Sequence, residues 1–93
     1  DLRKSPPVKL IEIFQQQRFK VDYFDPIIPF LKVGKVDLVS VKLTAMEVRK
    51  YDCVVIATDH TKVNYNLILK HARLIFDTRN VYGGKKHKNV VTI

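Results

Sequence analysis

Two apolar runs in the last third of the chain end abruptly in polar residues. Cys53-Val54-Val55-Ile56-Ala57 gives way to Thr58-Asp59-His60, and Leu74-Ile75-Phe76 to Asp77-Thr78-Arg79-Asn80. Apolar runs of this length, bounded by turn residues, suit strands buried on both faces of a parallel sheet. The pattern predicts strands over 52–58 and 73–77. In open α/β sheets ligands gather at the carboxyl ends of such strands. Arg79 falls just past one of those ends, where a planar, permanently charged guanidinium can grip a phosphate.

The rest of the chain alternates in the same way. Ser5-Pro6-Pro7 opens a first helix, with Ser5 as N-cap and proline in the first turn. Pro7, Leu10, Ile11 and Phe14 recur at helical spacing and make one apolar face, and Gln15 to Arg18 lead out of it. Phe19 to Phe24 reads as a strand with Val21 and Tyr23 on one face, stopped by Asp25-Pro26. Residues 26–35, with two prolines and Gly34, read as an irregular connection, and Val36 to Val41 as a short strand or extended segment. Thr44-Ala45-Met46-Glu47 carries a capping-box pattern and predicts a helix to about Lys50. After a polar turn at 59–64, Tyr65, Leu67, Ile68 and His71 mark a short helix whose end suits Lys70 and His71. Gly83-Gly84 break the chain before a last strand at 89–93.

Helices and strands in alternation predict an α/β fold with an open, mostly parallel sheet flanked by helices. A doubly wound sheet usually has a central strand before its first helix. This chain opens on the helix, so the sheet is expected to lack its first central strand. Together with the absence of an initial Met, this suggests a fragment of something longer.

The 93 residues allow one domain at most. No run approaches the roughly 18 apolar residues of a membrane span, and no secretory leader is visible. A single cysteine excludes an internal disulfide and fits a reducing cytoplasm. Cys53 lies within an apolar run and is read as a small buried hydrophobe. The net charge of +8 favours anionic partners: nucleic acid, phosphates or an acidic neighbouring domain. Lys85-Lys86-His87-Lys88 reads as a solvated loop, because no aromatic residues interleave with it for base stacking.

Few residues offer chemistry. Asp25 at a strand end resembles the acid that holds an adenosine ribose, but no G-x-G-x-x-G turn occurs, so it is assigned to capping a turn before Pro26. His60, His71 and His87 lack the spacing of a metal site. His60, at a strand end, is a candidate for proton transfer, against the simpler reading of a turn histidine. For Arg79, anion binding and a salt bridge to Asp77 or to a neighbouring acid both remain open. Arg3, near a helix amino end that attracts anions, carries the same two readings.

Four segments carry a resemblance. Asp1-Leu2-Arg3-Lys4-Ser5-Pro6 matches D-x-R-x-S-P, and Val21 to Pro26 resembles V-x-x-Y-D-P. Cys53 to His60 resembles an apolar strand ending A-T-D-H, and Phe76 to Asn80 resembles D-T-R-N. In this order they resemble the carboxy-terminal, UDP-binding domain of the UDP-glucose/GDP-mannose dehydrogenase family, over residues 1–93. The forms A-T-D-H and D-T-R-N look most like UDP-N-acetylglucosamine 6-dehydrogenases.

The resemblance implies a Rossmann-like fold and an enzyme that oxidises C6 of a UDP-sugar to the carboxylate with two NAD molecules. NAD would be held by an amino-terminal domain, and key catalytic groups by a central helical dimerisation domain. Neither is this chain. It also implies a homodimeric, cytoplasmic enzyme of surface polysaccharide synthesis, without nucleic acid or membrane partners. Arg79 matches the family arginine that reaches the nucleotide sugar, and Arg3 the arginine of the first motif. Cys53 does not match the catalytic cysteine, so no catalytic or metal-binding residue is assigned here. The family's G-x-x-[FY]-K turn, with its substrate-contacting lysine, has no counterpart in these residues. The isolated chain is expected to be inactive. A small basic nucleic-acid-binding or interaction module is the alternative reading.

Overall fold

The computed structural model describes residues 6–92, and side chains from Pro7 onward. Ser5, the expected N-cap, and Arg3 lie outside the described residues. The chain divides into two compact units, Asp1–Lys42 and Leu43–Ile93.

In the first unit, helix α1 spans Pro6–Gln16. Val8 and Ile11, three residues apart, are its buried stripe; they pack with Leu31 and Val36 in a small core. The expected stripe had Ile11 but missed Val8. Arg18 then takes a left-handed φ of 68° and the chain leaves the helix axis. Phe19 lies edge-on to Phe14, with ring centroids 6.1 Å apart.

Phe19 to Phe24 does not form the expected strand. The segment is extended but joins no ladder. Val21 and Tyr23 do share an inward face, packing against the Val8 core. The Tyr23 hydroxyl donates to the carbonyl of Ile28 at 2.8 Å. Asp25 Oδ1 accepts from the backbone N–H groups of Ile27 (2.7 Å) and Ile28 (2.9 Å), the turn-capping role expected of it. Burial and the nearby Asp25 carboxylate raise the Tyr23 pKa.

The connection at 26–35 is not wholly irregular. Strands β1 (Phe30–Val33) and β2 (Val36–Val39) pair antiparallel, with Val33 opposite Val36. Leu31 and Val36 are buried, whereas Phe30, Lys32, Asp37 and Val39 point to solvent. Gly34 supplies the positive φ of 57° that a two-residue hairpin loop asks of its first residue. The hairpin's signature was therefore present: two alternating runs flanking Gly34-Lys35.

The second unit is the parallel layer. Strands β3 (Val54–Ile56), β4 (Ile75–Asp77) and β5 (Val90–Thr92) form a parallel sheet in that order. Each connection is a crossover, as parallel pairing requires. Helices α2 (Ala45–Arg49) and α3 (Tyr65–His71) pack on one face. Val48, Ile56, Ile68, Ala72 and Ile75 are the buried core there. This is the Rossmann-like α/β arrangement expected from the alternation.

Local signals explain both helices. Thr44 Oγ1 accepts from the N–H of Glu47 at 3.1 Å, the capping-box contact. Asn64 Oδ1 does the same for Leu67 N–H at 3.1 Å, so the polar turn ends in a cap. Asn89 Nδ2 donates to the carbonyls of Leu69 and Ala72, both at 3.0 Å, and so ties the end of α3 to the start of β5.

Two expectations are corrected here. The sheet is not buried on both faces. The inward row carries Ile75 and Asp77, but on the other face Phe76 and Val91 are exposed, in register with half-buried Val55. Cys53 is also exposed rather than buried, because ladder pairing begins only at Val54 on an edge strand. Although the residue as a whole is accessible, desolvation by the adjoining sheet pushes its thiol up. An activated thiolate needs the opposite shift.

The two helices are also joined by a contact with a pH signature. An Arg49 guanidinium nitrogen lies 2.8 Å from His71 Nδ1. Desolvation lowers the His71 pKa, helped by the positive charges of Arg49 and Lys70. A group with a depressed folded pKa contributes stability that is complete above its unfolded pKa and disappears as pH falls through the folded one. Acidification from about pH 7.5 to about pH 5 therefore lowers the melting temperature of the wild type more than that of His71→Gln, which keeps an acceptor but does not titrate. Thermal melts of both proteins across this range check the difference; equal pH profiles contradict it.

Candidate functional site

The carboxyl ends of β3 and β4 bring two loops side by side. Thr58, Asp59 and His60 follow β3, and Thr78, Arg79 and Asn80 follow β4. The hydrogen bonds of the sheet continue into the second loop. Thr78 N–H donates to the carbonyl of Ile56 at 3.2 Å, and its hydroxyl donates to the same oxygen at 2.7 Å. Asp77 Oδ1 accepts from Arg79 N–H at 3.0 Å. Asn80 then takes a left-handed φ of 58°, a conformation asparagine tolerates better than most residues.

Two tyrosines connect these loops to α3. The Tyr65 hydroxyl accepts from His60 N–H at 2.7 Å and donates to the carbonyl of Thr58 at 3.0 Å. The Tyr82 hydroxyl donates to the carbonyl of Tyr65 at 2.8 Å. Burial, then the Asp77 carboxylate and Tyr65, push the Tyr82 hydroxyl up to about 12. It therefore stays a donor at neutral pH. Sequence reasoning missed both tyrosines; no motif marks them, and only the folded loops show what their hydroxyls join.

Arg79 is exposed at this rim. Its backbone is held by Asp77, but its guanidinium makes no ion pair or hydrogen bond among the described residues. A salt bridge to Asp77 or to a neighbouring acid, the structural reading of this residue, is not formed among the described residues. Arg3, the other candidate, lies outside the described residues. His60 behaves as a turn residue, its Nδ1 accepting from Lys62 N–H at 3.1 Å. His87 stacks edge-on with Tyr82 at 5.9 Å, and Lys85, Lys86 and Lys88 around it are exposed. Among the described residues, no three His, Cys, Asp or Glu side chains gather where they could hold a metal ion.

What the rim can do is bind. It presents an exposed guanidinium on a backbone held at a strand end, the place where ligands bind in open α/β sheets. Residues 1–84 match the UDP-glucose/GDP-mannose dehydrogenase family, UDP binding domain. The chain belongs to this family. No curated protein and no solved structure matches it significantly. The family is one of nucleotide-sugar dehydrogenases, and this part of it serves substrate binding. Among the described residues, no helix is long and apolar enough to cross a membrane.

Proposed function

We propose that residues 1–93 are the carboxy-terminal substrate-binding domain of an NAD-dependent UDP-sugar 6-dehydrogenase. The substrate is a UDP-N-acetylhexosamine or UDP-glucose, with UDP-N-acetylglucosamine favoured by the A-T-D-H and D-T-R-N forms. The observation that carries this reading is the exposed guanidinium of Arg79, without an ion pair among the described residues, on a loop whose backbone Asp77 holds. Arg79 would supply a charge-assisted, two-pronged contact to the diphosphate. Arg3 is proposed as a second contact or local anchor from the first motif.

This chain's part in the reaction is to hold and orient the nucleotide. The hydride acceptor, NAD, would be bound by another domain and would take the electrons as the C6 alcohol becomes a carboxylate. The remaining domains of the enzyme and a second copy in a homodimer are the proposed partners. A parallel sheet with Phe76 and Val91 exposed on one face is consistent with further packing. A cytoplasmic role in surface polysaccharide synthesis completes the reading.

The natural polypeptide that contains this chain should reduce two NAD per UDP-N-acetylglucosamine, and the 93-residue chain alone none. Absorbance of NADH with a panel of UDP-sugars checks both. No turnover by the natural polypeptide, or turnover by this chain alone, would contradict the proposal.

A further inference from the structure

Asp77 is the last residue of β4 and is fully buried. One carboxylate oxygen accepts from Arg79 N–H, while Oδ2 is buried and makes no hydrogen bond among the described residues. Leaving a buried acceptor unsatisfied is costly, more so on a carboxylate. The core would be served better there by an aliphatic side chain: Asp77 shares its face with Ile75, and β-branched residues suit a central strand. What an aliphatic group would not supply is the acceptor for Arg79 N–H.

The surrounding contacts show why that acceptor matters. Thr78 is fastened to Ile56 twice, and Asn80 turns the chain through the left-handed region. Between them Arg79 has, among the described residues, one backbone restraint, the bond to Asp77. Without it the loop could pivot about Thr78, and the guanidinium would sweep a wider volume at the rim. Binding then loses the benefit of a preformed contact.

We infer that Asp77 is the positioning residue for Arg79: it fixes the backbone from which the guanidinium meets the diphosphate. This rests on the nucleotide-sugar reading of Arg79. Asp77 itself touches no substrate, because its side chain is enclosed.

The test uses the natural polypeptide containing this chain, with three variants. Asp77→Val keeps a similar volume but removes the acceptor, with Asp77→Ala as a second choice should valine impair folding. Asp77→Asn keeps an oxygen for Arg79 N–H, and Arg79→Ala is the reference. Two quantities are read: the KM and kcat for the UDP-sugar, and hydrogen exchange of the peptide covering Arg79. Asp77→Val is expected to raise KM about tenfold with little change in kcat and to speed exchange at Arg79, whereas Asp77→Asn restores both. A purely structural role would lower the folded fraction without separating KM from kcat.

If Arg79→Ala raises KM but Asp77→Val does not, the inference falls and the reading of Arg79 stands. If Asp77→Asn is as impaired as Asp77→Val, the inference also falls, since the acceptor is then not what matters. An unchanged KM in Arg79→Ala overturns the reading of Arg79 and the inference with it.

Discussion

Arg79→Ala in the natural polypeptide raises the KM for the UDP-sugar roughly ten- to a hundredfold and leaves kcat within about twofold. The magnitude follows from the charge-assisted hydrogen bonds of a guanidinium to a phosphate. The split follows from where Arg79 sits. It would hold a part of the substrate that does not react, so the same interaction is present in the ground state and in the transition state. Losing it weakens binding uniformly. Arg79→Lys should fall between the two, since a lysine keeps the charge but not the planar fork. Steady-state kinetics in all three proteins check the order. A large fall in kcat at constant KM would place Arg79 in the chemistry instead.

Ile75→Ala destabilises the second unit by about 2–5 kcal/mol. Ile75 is fully buried at the start of the central strand of the parallel sheet, against Val48, Ile56, Ile68 and Ala72. Truncation leaves a void that strands on both sides and helices above cannot close without breaking their ladders and caps. Its neighbour Leu74 is 41% exposed, and Leu74→Ala should cost far less. Chemical denaturation of both variants checks the contrast. Equal losses would mean that the packed face of the sheet is not the one described.

The parallel layer was legible because its signals are local and agree with one another. Thr44 and Glu47 announce a cap that the structure contains. The apolar runs around Val55 and Phe76 end where the polar loops begin, and the intervening helix closes with Lys70 and His71 as expected. The amino-terminal unit was harder. Val21 and Tyr23 have the alternation of a strand, and they do face inward, but alternation cannot say whether a neighbouring strand is present to pair with. The prolines at 26 and 29 hid a hairpin that starts immediately after the second of them.

Cys53 was misplaced for a related reason: an apolar run marks a strand but not its edge, and the ladder begins one residue later. At the candidate site, the chain order put Arg79 at a strand end, which the fold bears out. What the residues left open was the state of its side chain. Asp77 is close in sequence and opposite in charge, so a salt bridge was as reasonable as a free guanidinium. In the structure the Asp77 carboxylate turns inward and takes the Arg79 backbone N–H, and no salt bridge forms between the two side chains. The roles of Tyr65 and Tyr82 depend on loops brought together only by the sheet, and no spacing in the sequence encodes them.

Calorimetric titration of the natural polypeptide with UDP and with uridine addresses the diphosphate contact without the complication of turnover. UDP should bind more tightly than uridine, and Arg79→Ala should remove most of that difference while leaving uridine binding unchanged. If Arg79→Ala binds UDP with wild-type affinity, the guanidinium does not hold the diphosphate and the account is wrong at its centre.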